Sequence, residues 1–268
     1  MTAVTEPSVV WAYAVTERER LACLDEVEGV GGGPVRAVPA AGLTVIAEDV
    51  PAAGFGEAAL RRNLEDLGWL EAMARAHHRV IEAVAGEGPV VPMRLATVYR
   101  DDAGAAAALA DHVGDLRAAI DRTRAHKEWG IKAYAARPDE PDRDAGAAPR
   151  PRGRTAAGSG AAYLARRRQQ LSAQERARRD VVTSAELIHA RLARLAGQSR
   201  LHPPQSPQLA GYRMQMILNA AYLLPDDRDG DFAAAVTDLA GRHPTVRIEI
   251  TGPWPPYSFA ALPEAGQP

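Results

Sequence analysis

Val246-Arg247-Ile248-Glu249-Ile250-Thr251-Gly252-Pro253-Trp254-Pro255-Pro256-Tyr257-Ser258-Phe259 is the stretch on which the fold reading turns. Its first five residues alternate apolar and polar, the pattern of a half-buried strand. Three prolines then follow, each without a ladder donor and with φ fixed, so the strand is expected to stop near Ile250 and the rest to leave the sheet as a stiff arm. The arm carries Trp254, Tyr257 and Phe259 but none of the usual nucleophiles, bases or metal ligands, which points to packing or gripping rather than catalysis.

Working back from that strand, Asp229 to Arg242 reads as a helix, and Met214 to Leu224, ended by Pro225, as a strong strand. Gln205 to Gly211 reads as a loop and Ser199 to His202 as a short strand. Before them lies a long helix opened by Ser159 as N-cap, with Leu164, Leu171, Val181, Ala185, Ile188, Leu192 and Leu195 at steps of three or four residues or their multiples. Lys127 to Ala135 is a strand, and 137–158, rich in Pro, Asp, Arg and Gly without apolar period, reads as a disordered insert. The resulting order, β-α-β-β-α-β, is that of a ferredoxin-like domain.

The first half reads similarly. Val9 to Val15 is a strand, and Thr16 caps an expected helix to Glu28 on the face of Leu21, Leu24 and Val27. Gly29-Val30-Gly31-Gly32-Gly33 ends it. Strands are expected at Val35 to Val38 and Leu43 to Val50, a helix over 57–85 bent near Gly68, a strand over Val90 to Tyr99, and a helix over 103–124. The expected architecture is therefore α+β, with antiparallel sheets covered by helices on one face. Its parts are an N-terminal domain over 1–125, a ferredoxin-like domain over 126–252, and the C-terminal Pro/aromatic arm over 253–268.

The 268 residues suffice for two ordinary cores. Basic and acidic residues nearly cancel, 32 against 34, which excludes a global attraction to nucleic acid or anionic membrane. The single cysteine, Cys23, excludes an internal disulfide, suits a reducing cytoplasm and reads as a small buried hydrophobe. No signal peptide is expected at the polar start, and no apolar run approaches the roughly 20 residues of a membrane span.

Gly29 to Gly33 lacks the last glycine of a dinucleotide fingerprint, Pro34 standing there, and follows an expected helix rather than a strand; it reads as a turn. Ser159 lacks the spacing of a nucleophile elbow. His77 and His78 face about 100° apart on a helix and cannot share an ion, so no metal or cofactor site is expected. His77 reads as a packed or hydrogen-bonded ring. Arg94, inside an apolar strand, must be paired or point outward; an ion pair within the domain and a contact to a partner's carboxylate both remain open. Glu128 and Lys132 share a strand face as a possible pair. Arg150, Arg152, Arg154, Arg166, Arg167, Arg168, Arg176, Arg178 and Arg179 form a basic region without the interleaved aromatics of a nucleic-acid surface; it reads as a solvated face or a site for acidic protein tracts.

Four segments, in order, carry a family resemblance: Pro89-Val90-Val91-Pro92-Met93-Arg94-Leu95-Ala96-Thr97-Val98-Tyr99, after a helix with Trp69 and Ala76-His77; Glu128-Trp129-Gly130-Ile131-Lys132-Ala133-Tyr134; Ser159-Gly160-Ala161-Ala162-Tyr163-Leu164 with Arg166-Arg167-Arg168; and Gly252 to Phe259. Together they resemble the gas vesicle protein F/L family. The resemblance implies a non-enzymatic accessory protein without cofactor. It implies contact with the small hydrophobic gas vesicle shell protein and other gas vesicle accessory proteins, a role in nucleation or early assembly, and a place as a minor component of the gas vesicle, cytoplasmic before assembly. The expected contact surface lies in the first domain around Trp69, His77, Arg94 and Tyr99, with Trp254, Tyr257 and Phe259 as a second grip or a clasp. Two other classes stay open. A ferredoxin-like small-molecule sensor or enzyme would need a polar pocket, for instance His77 beside Glu71 or Glu82. A nucleic-acid-associated protein would use the arginine region.

Overall fold

The computed structural model describes residues 7–136, 159–204 and 214–260. The expected insert (137–158), the expected loop (205–211) and the last residues of the arm (261–268) lie outside the described residues, as does the side chain of Ser159. The chain divides into two compact units. One comprises the chain up to Trp129, Leu223–Asp226 and the chain from Gly252; the other comprises Gly130–Tyr222 and Asp227–Thr251.

In the first unit the sheet is built from β1 (Ser8–Thr16), β2 (Arg36–Ala40), β3 (Leu43–Pro51), β4 (Val90–Pro92) and β5 (Val98–Tyr99), all pairings antiparallel, in the order β2-β3-β1-β4 with β5 also on β1. β1 is central, and its residues from Val10 to Thr16 are all buried, as a run rich in β-branched and aromatic residues requires of a strand clad on both faces. A register shift between Ala12 and Ala14 leaves Tyr13 without an opposite residue on β3. Tyr13 and Ala14 consequently enter the same core, with Trp11, Ile46, Val80, Ile81 and Val84. The other face, with Ala12, Val15, Val45 and Ala47, is closed by Leu109, Leu116 and Ile120. The helices concerned are α3 (Leu67–Glu87) on one side and α4 (Asp102–Asp111) and α5 (Val113–Thr123) on the other. Helices on one face only, the expectation, therefore gives way here to a three-layer arrangement.

Several elements differ from the sequence reading, each for a local reason. The helix expected over 17–28 is a single 3₁₀ turn, Ala22–Asp25. The carboxylate of Glu87 accepts the Cys23 N–H at 2.6 Å, and Leu21 and Val30 enter the core from an irregular chain. Tertiary contacts override the periodicity. The helix expected over 57–85 is preceded by α1 (Ala52–Phe55) and divides into α2 (Glu57–Asn63) and α3. The break comes at Asp66, just before Gly68, because Asp66 accepts from the Gly68 and Trp69 amides at 2.8 and 3.2 Å and caps α3. His112 divides the next helix into α4 and α5. The strand expected over 90–99 is interrupted by a turn in which Thr97 Oγ1 donates to the Arg94 carbonyl at 2.7 Å and Ala96 takes φ +64°. Arg94 thus sits in a turn, which resolves its place within an apolar run.

The second unit holds α6 (Ser159–Ala193), β7 (Gln198–Leu201), α7 (Asp229–Arg242) and most of β6 (His126–Ala136), β8 (Met214–Pro225) and β9 (Val246–Trp254), the sheet being ordered β7-β8-β6-β9. This is the ferredoxin-like order. With strands numbered from the start of each half, both sheets read 2-3-1-4, so the halves share a topology although the first helix of the N-terminal half has dwindled to one turn. Tyr222 anchors the second core, its ring 5.4 Å from Phe232 and its hydroxyl 2.9 Å from His189 Nδ1. β9 does not stop near Ile250 but runs to Trp254. It lies at the end of the sheet order, where one side of the strand has no ladder to complete and proline is tolerated. Gly252 has φ +118°, and a Cβ there would lie 2.9 Å from the Glu128 carbonyl oxygen.

Candidate functional site

The site lies in the first unit, where α3 meets the turn after β4. Helix α3 is amphipathic: Ala76, His77, Val80, Ile81 and Val84 are buried against the sheet, and the adjacent His78 looks outward. His77 has both ring nitrogens engaged. Trp11 Nε1 donates to Nδ1 at 3.0 Å, so Nε2 carries the proton and donates to the Met93 carbonyl at 3.1 Å. Burial, opposed by the Met93 bond and aided by His78, pushes the ring down to about 4. His77 is therefore a neutral strut between α3, β1 and the 93–97 turn.

The arm beyond β9 returns to this helix. Pro255 and Pro256 are buried, and the Phe259 and Ala260 amides donate to the Pro256 carbonyl at 3.1 and 2.9 Å in a tight turn. Three anchors hold it. Tyr257 Oη lies 2.8 Å from His78 Nδ1, with the Trp254 ring 5.3 Å from the His78 ring. Ser258 donates its amide and hydroxyl to the two Glu128 oxygens at 2.7 and 2.6 Å. Arg122 of α5 donates from Nε and Nη2 to the Phe259 carbonyl at 3.2 and 2.9 Å. Burial, with Glu82 and Glu128 nearby, pushes the Tyr257 phenol up. Between helix, turn and arm lies an open cavity of about 340 Å³ lined by Ala74, His77, His78, Met93, Arg94, Leu95 and Tyr257. A second cavity of about 490 Å³ runs from Glu82 and Glu87 to Lys127 and Trp254.

The glycine run has a guest of its own. Glu48, fully buried on β3, accepts from Gly31 N at 3.1 Å, Gly33 N at 2.9 Å and Tyr13 Oη at 2.6 Å, and Tyr13 Oη accepts from Val30 N at 2.7 Å. The turn reading stands, and the amides form a nest around an internal carboxylate.

A profile of the family described as gas vesicle synthesis protein GvpL/GvpF matches residues 9–261. The chain belongs to the gas vesicle GvpL/GvpF family. It is 36% identical over 254 residues to gas vesicle protein L of Streptomyces sp. (strain CB03234), covering 95% of this chain and 93% of that one. It is 26% identical over 262 residues to gas vesicle protein F of the same strain, covering 93% and 98%. The crystal structure of GvpF from Anabaena sp. PCC7120 matches with a TM-score of 0.67 at 16% identity, over 97% of this chain and 99% of that one. That of GvpF from Microcystis aeruginosa matches with 0.64 at 18%, over 95% and 99%. At such identities the two structures speak for the fold, which is shared along nearly the whole chain.

In this GvpL/GvpF family member, the seven residues singled out from sequence fall into two groups. His77, Arg94 and Tyr257 line the 340 Å³ cavity, Trp254 touches the neighbouring His78, and Trp69 lies further along α3 with its ring 6.2 Å from Phe55. Tyr99 packs instead against the core beneath α4 and α5, and Phe259 is buried with its carbonyl on α5. Sequence reasoning passed over His78, Arg122, Glu128 as a partner of Ser258, and Glu48. The one signal for Glu48 was a carboxylate inside Val45-Ile46-Ala47-Glu48, the same kind of anomaly that drew attention to Arg94. Among the described residues, no cluster of three or more His, Cys, Asp or Glu could hold a metal ion, and no helix is long and apolar enough to cross a membrane.

Proposed function

We propose that this chain is an accessory protein of gas vesicle assembly. It binds the small hydrophobic shell subunit in the cytoplasm, assists nucleation alongside other accessory proteins, and remains as a minor component of the vesicle. A shell subunit with a gas-facing surface exposes apolar patches and strand edges before it polymerises, and a helper that covers them keeps it from aggregating. The observation that carries the reading is the α3 cavity in a member of this family. Its walls are apolar at Ala74, Met93 and Leu95, Arg94 is exposed at its rim, and Trp254 and Tyr257 extend the surface. Apolar area supplies the affinity, and a rim guanidinium fixes the orientation of a carboxylate or carbonyl on the subunit.

Co-expression with the shell subunit, followed by pull-down at low and high salt, tests this. Soluble shell protein is expected with the wild-type chain under both conditions. Less is expected with Met93→Asp, which places a charge in the apolar wall, and with Arg94→Ala. Failure to capture shell protein at any ionic strength would overturn the reading.

A further inference from the structure

Helix α6 is far longer than the sheet it serves. Its buried residues begin only at Ile188, and from Tyr163 to Asp180 every residue is exposed except Gln174 and Ala177, which are half-buried. This outer half carries Arg166, Arg167, Arg168, Arg176, Arg178 and Arg179 against only Glu175 and Asp180. Both acids lie beyond the three consecutive arginines. The positions three and four residues to either side of Arg166, Arg167 and Arg168 hold Ala, Tyr, Leu, Gln or Ser, so no helical ion pair balances them. The charge is also ordered in space. Leu164, Arg168, Leu171, Glu175, Arg178 and Val182 follow one another at steps of three or four and share one face, with Arg167 at its edge. Leu164, Leu171 and Val182 on that face are 56%, 45% and 56% exposed.

Leu164, Leu171 and Val182 recur on this face after seven and eleven residues, with Arg167 and Arg168 between the first two, a pattern that can seat the apolar stripe of a second helix. We propose that the outer half of α6 docks an acidic amphipathic helix of a protein partner. The partner's apolar stripe would lie on Leu164, Leu171 and Val182, with its carboxylates on Arg167 and Arg168. The seam is about 27 Å long at 1.5 Å per residue, enough for five turns. Charge complementarity selects the occupant: an apolar helix with basic flanks would be repelled, and a helix with acidic flanks supplies the counter-charge that Arg167 and Arg168 do not find at helical spacing. Nucleic acid and anionic lipid offer the same charge without matching the stripe. They would engage arginines all round the helix and leave the leucines irrelevant. The inference stands apart from the α3 cavity and concerns a different surface.

The test uses the full chain and a fluorescent designed helical peptide with leucine at its seam positions and glutamate elsewhere. Its companions are a scrambled peptide of the same composition, duplex DNA, and phosphatidylserine vesicles. The designed peptide is expected to bind more tightly than the scrambled one and to weaken with added salt. The combined variant Arg167→Glu, Arg168→Glu is expected to lose about tenfold or more in affinity, and Leu164→Ser with Leu171→Ser to lose affinity at unchanged salt slope. All four positions are exposed, so circular dichroism should report wild-type folding. Equal binding of the two peptides, indifference to either variant, or preference for DNA or vesicles would overturn the proposal.

Discussion

Trp11 Nε1 stands 3.0 Å from His77 Nδ1, joining the central strand of the first sheet to the helix that covers it. Because an indole nitrogen can only donate, the bond fixes the imidazole tautomer and aims its remaining N–H at the Met93 carbonyl. One ring thus ties three segments 66 and 16 residues apart in sequence. His77→Ala should cost about 3 kcal/mol, from lost packing plus two buried polar groups left without partners. Urea denaturation monitored by circular dichroism would measure it, and a loss below about 1 kcal/mol would mean that the strut is dispensable.

The same ring gives the chain an acid-labile term. In the unfolded chain it titrates near 6.5, and in the fold near 4. Above pH 6.5 both states hold the neutral ring. As pH falls from 6.5 to 4, the unfolded chain takes up a proton that the folded chain refuses, and stability falls by about 3 kcal/mol in all. His77→Gln should remove this part of the slope. Matched denaturation curves at several pH values in that window, wild type against variant, would reveal the difference, and parallel slopes would refute the assignment.

Gly29 and Gly32 belong to one loop and should respond differently to alanine. At Gly29 a Cβ would fall 2.0 Å from Glu48 Oε2 and 2.6 Å from the Tyr13 hydroxyl, so the nest would have to open. The expected cost is about 3 kcal/mol or more. At Gly32 nothing lies within 4 Å, and only its φ of +75° resists, for about 1 kcal/mol. Thermal melts of the two variants would separate crowding from backbone strain.

The arm should loosen without global unfolding when its anchors are cut. Ser258→Ala removes the hydroxyl bond to Glu128, and His78→Ala the contact with Tyr257 and Trp254; each should weaken arm docking by about 1 kcal/mol. Amide hydrogen exchange at Phe259 and Ala260 should quicken roughly fivefold per variant, while the β1 amides keep their protection. Equal acceleration in β1 would show that the arm and the sheet unfold together.

The second sheet was legible because its strands announce themselves: Met214 to Leu224 is apolar, long and stopped by Pro225, and Val246 to Ile250 alternates. The first sheet was legible in its strand positions but not in its covering, since the burial of β1 on both faces depends on helices distant in sequence. The helix expected over 17–28 does not form because, although Leu21, Leu24 and Val27 keep a helical spacing, the chain between them serves Glu87 and the glycine loop. The sequence pattern puts Arg94 and Tyr99 on one strand, yet a turn at Arg94–Thr97 separates them. The cavity residues were partly visible as residue types out of place. His78, Arg122 and Glu128 gave no such sign, because what they hold is an arm at least 130 residues away, and only the fold brings it near.

Amides converging on one point are how many proteins receive phosphate or sulfate from solution. Here the guest is tethered to the host: Glu48 reaches the glycine amides at whatever effective concentration strand β3 imposes, and no dissolved anion competes with a covalent leash. The loop is a receptor that is always occupied, and its occupancy reports the docking of a strand rather than the contents of the cell.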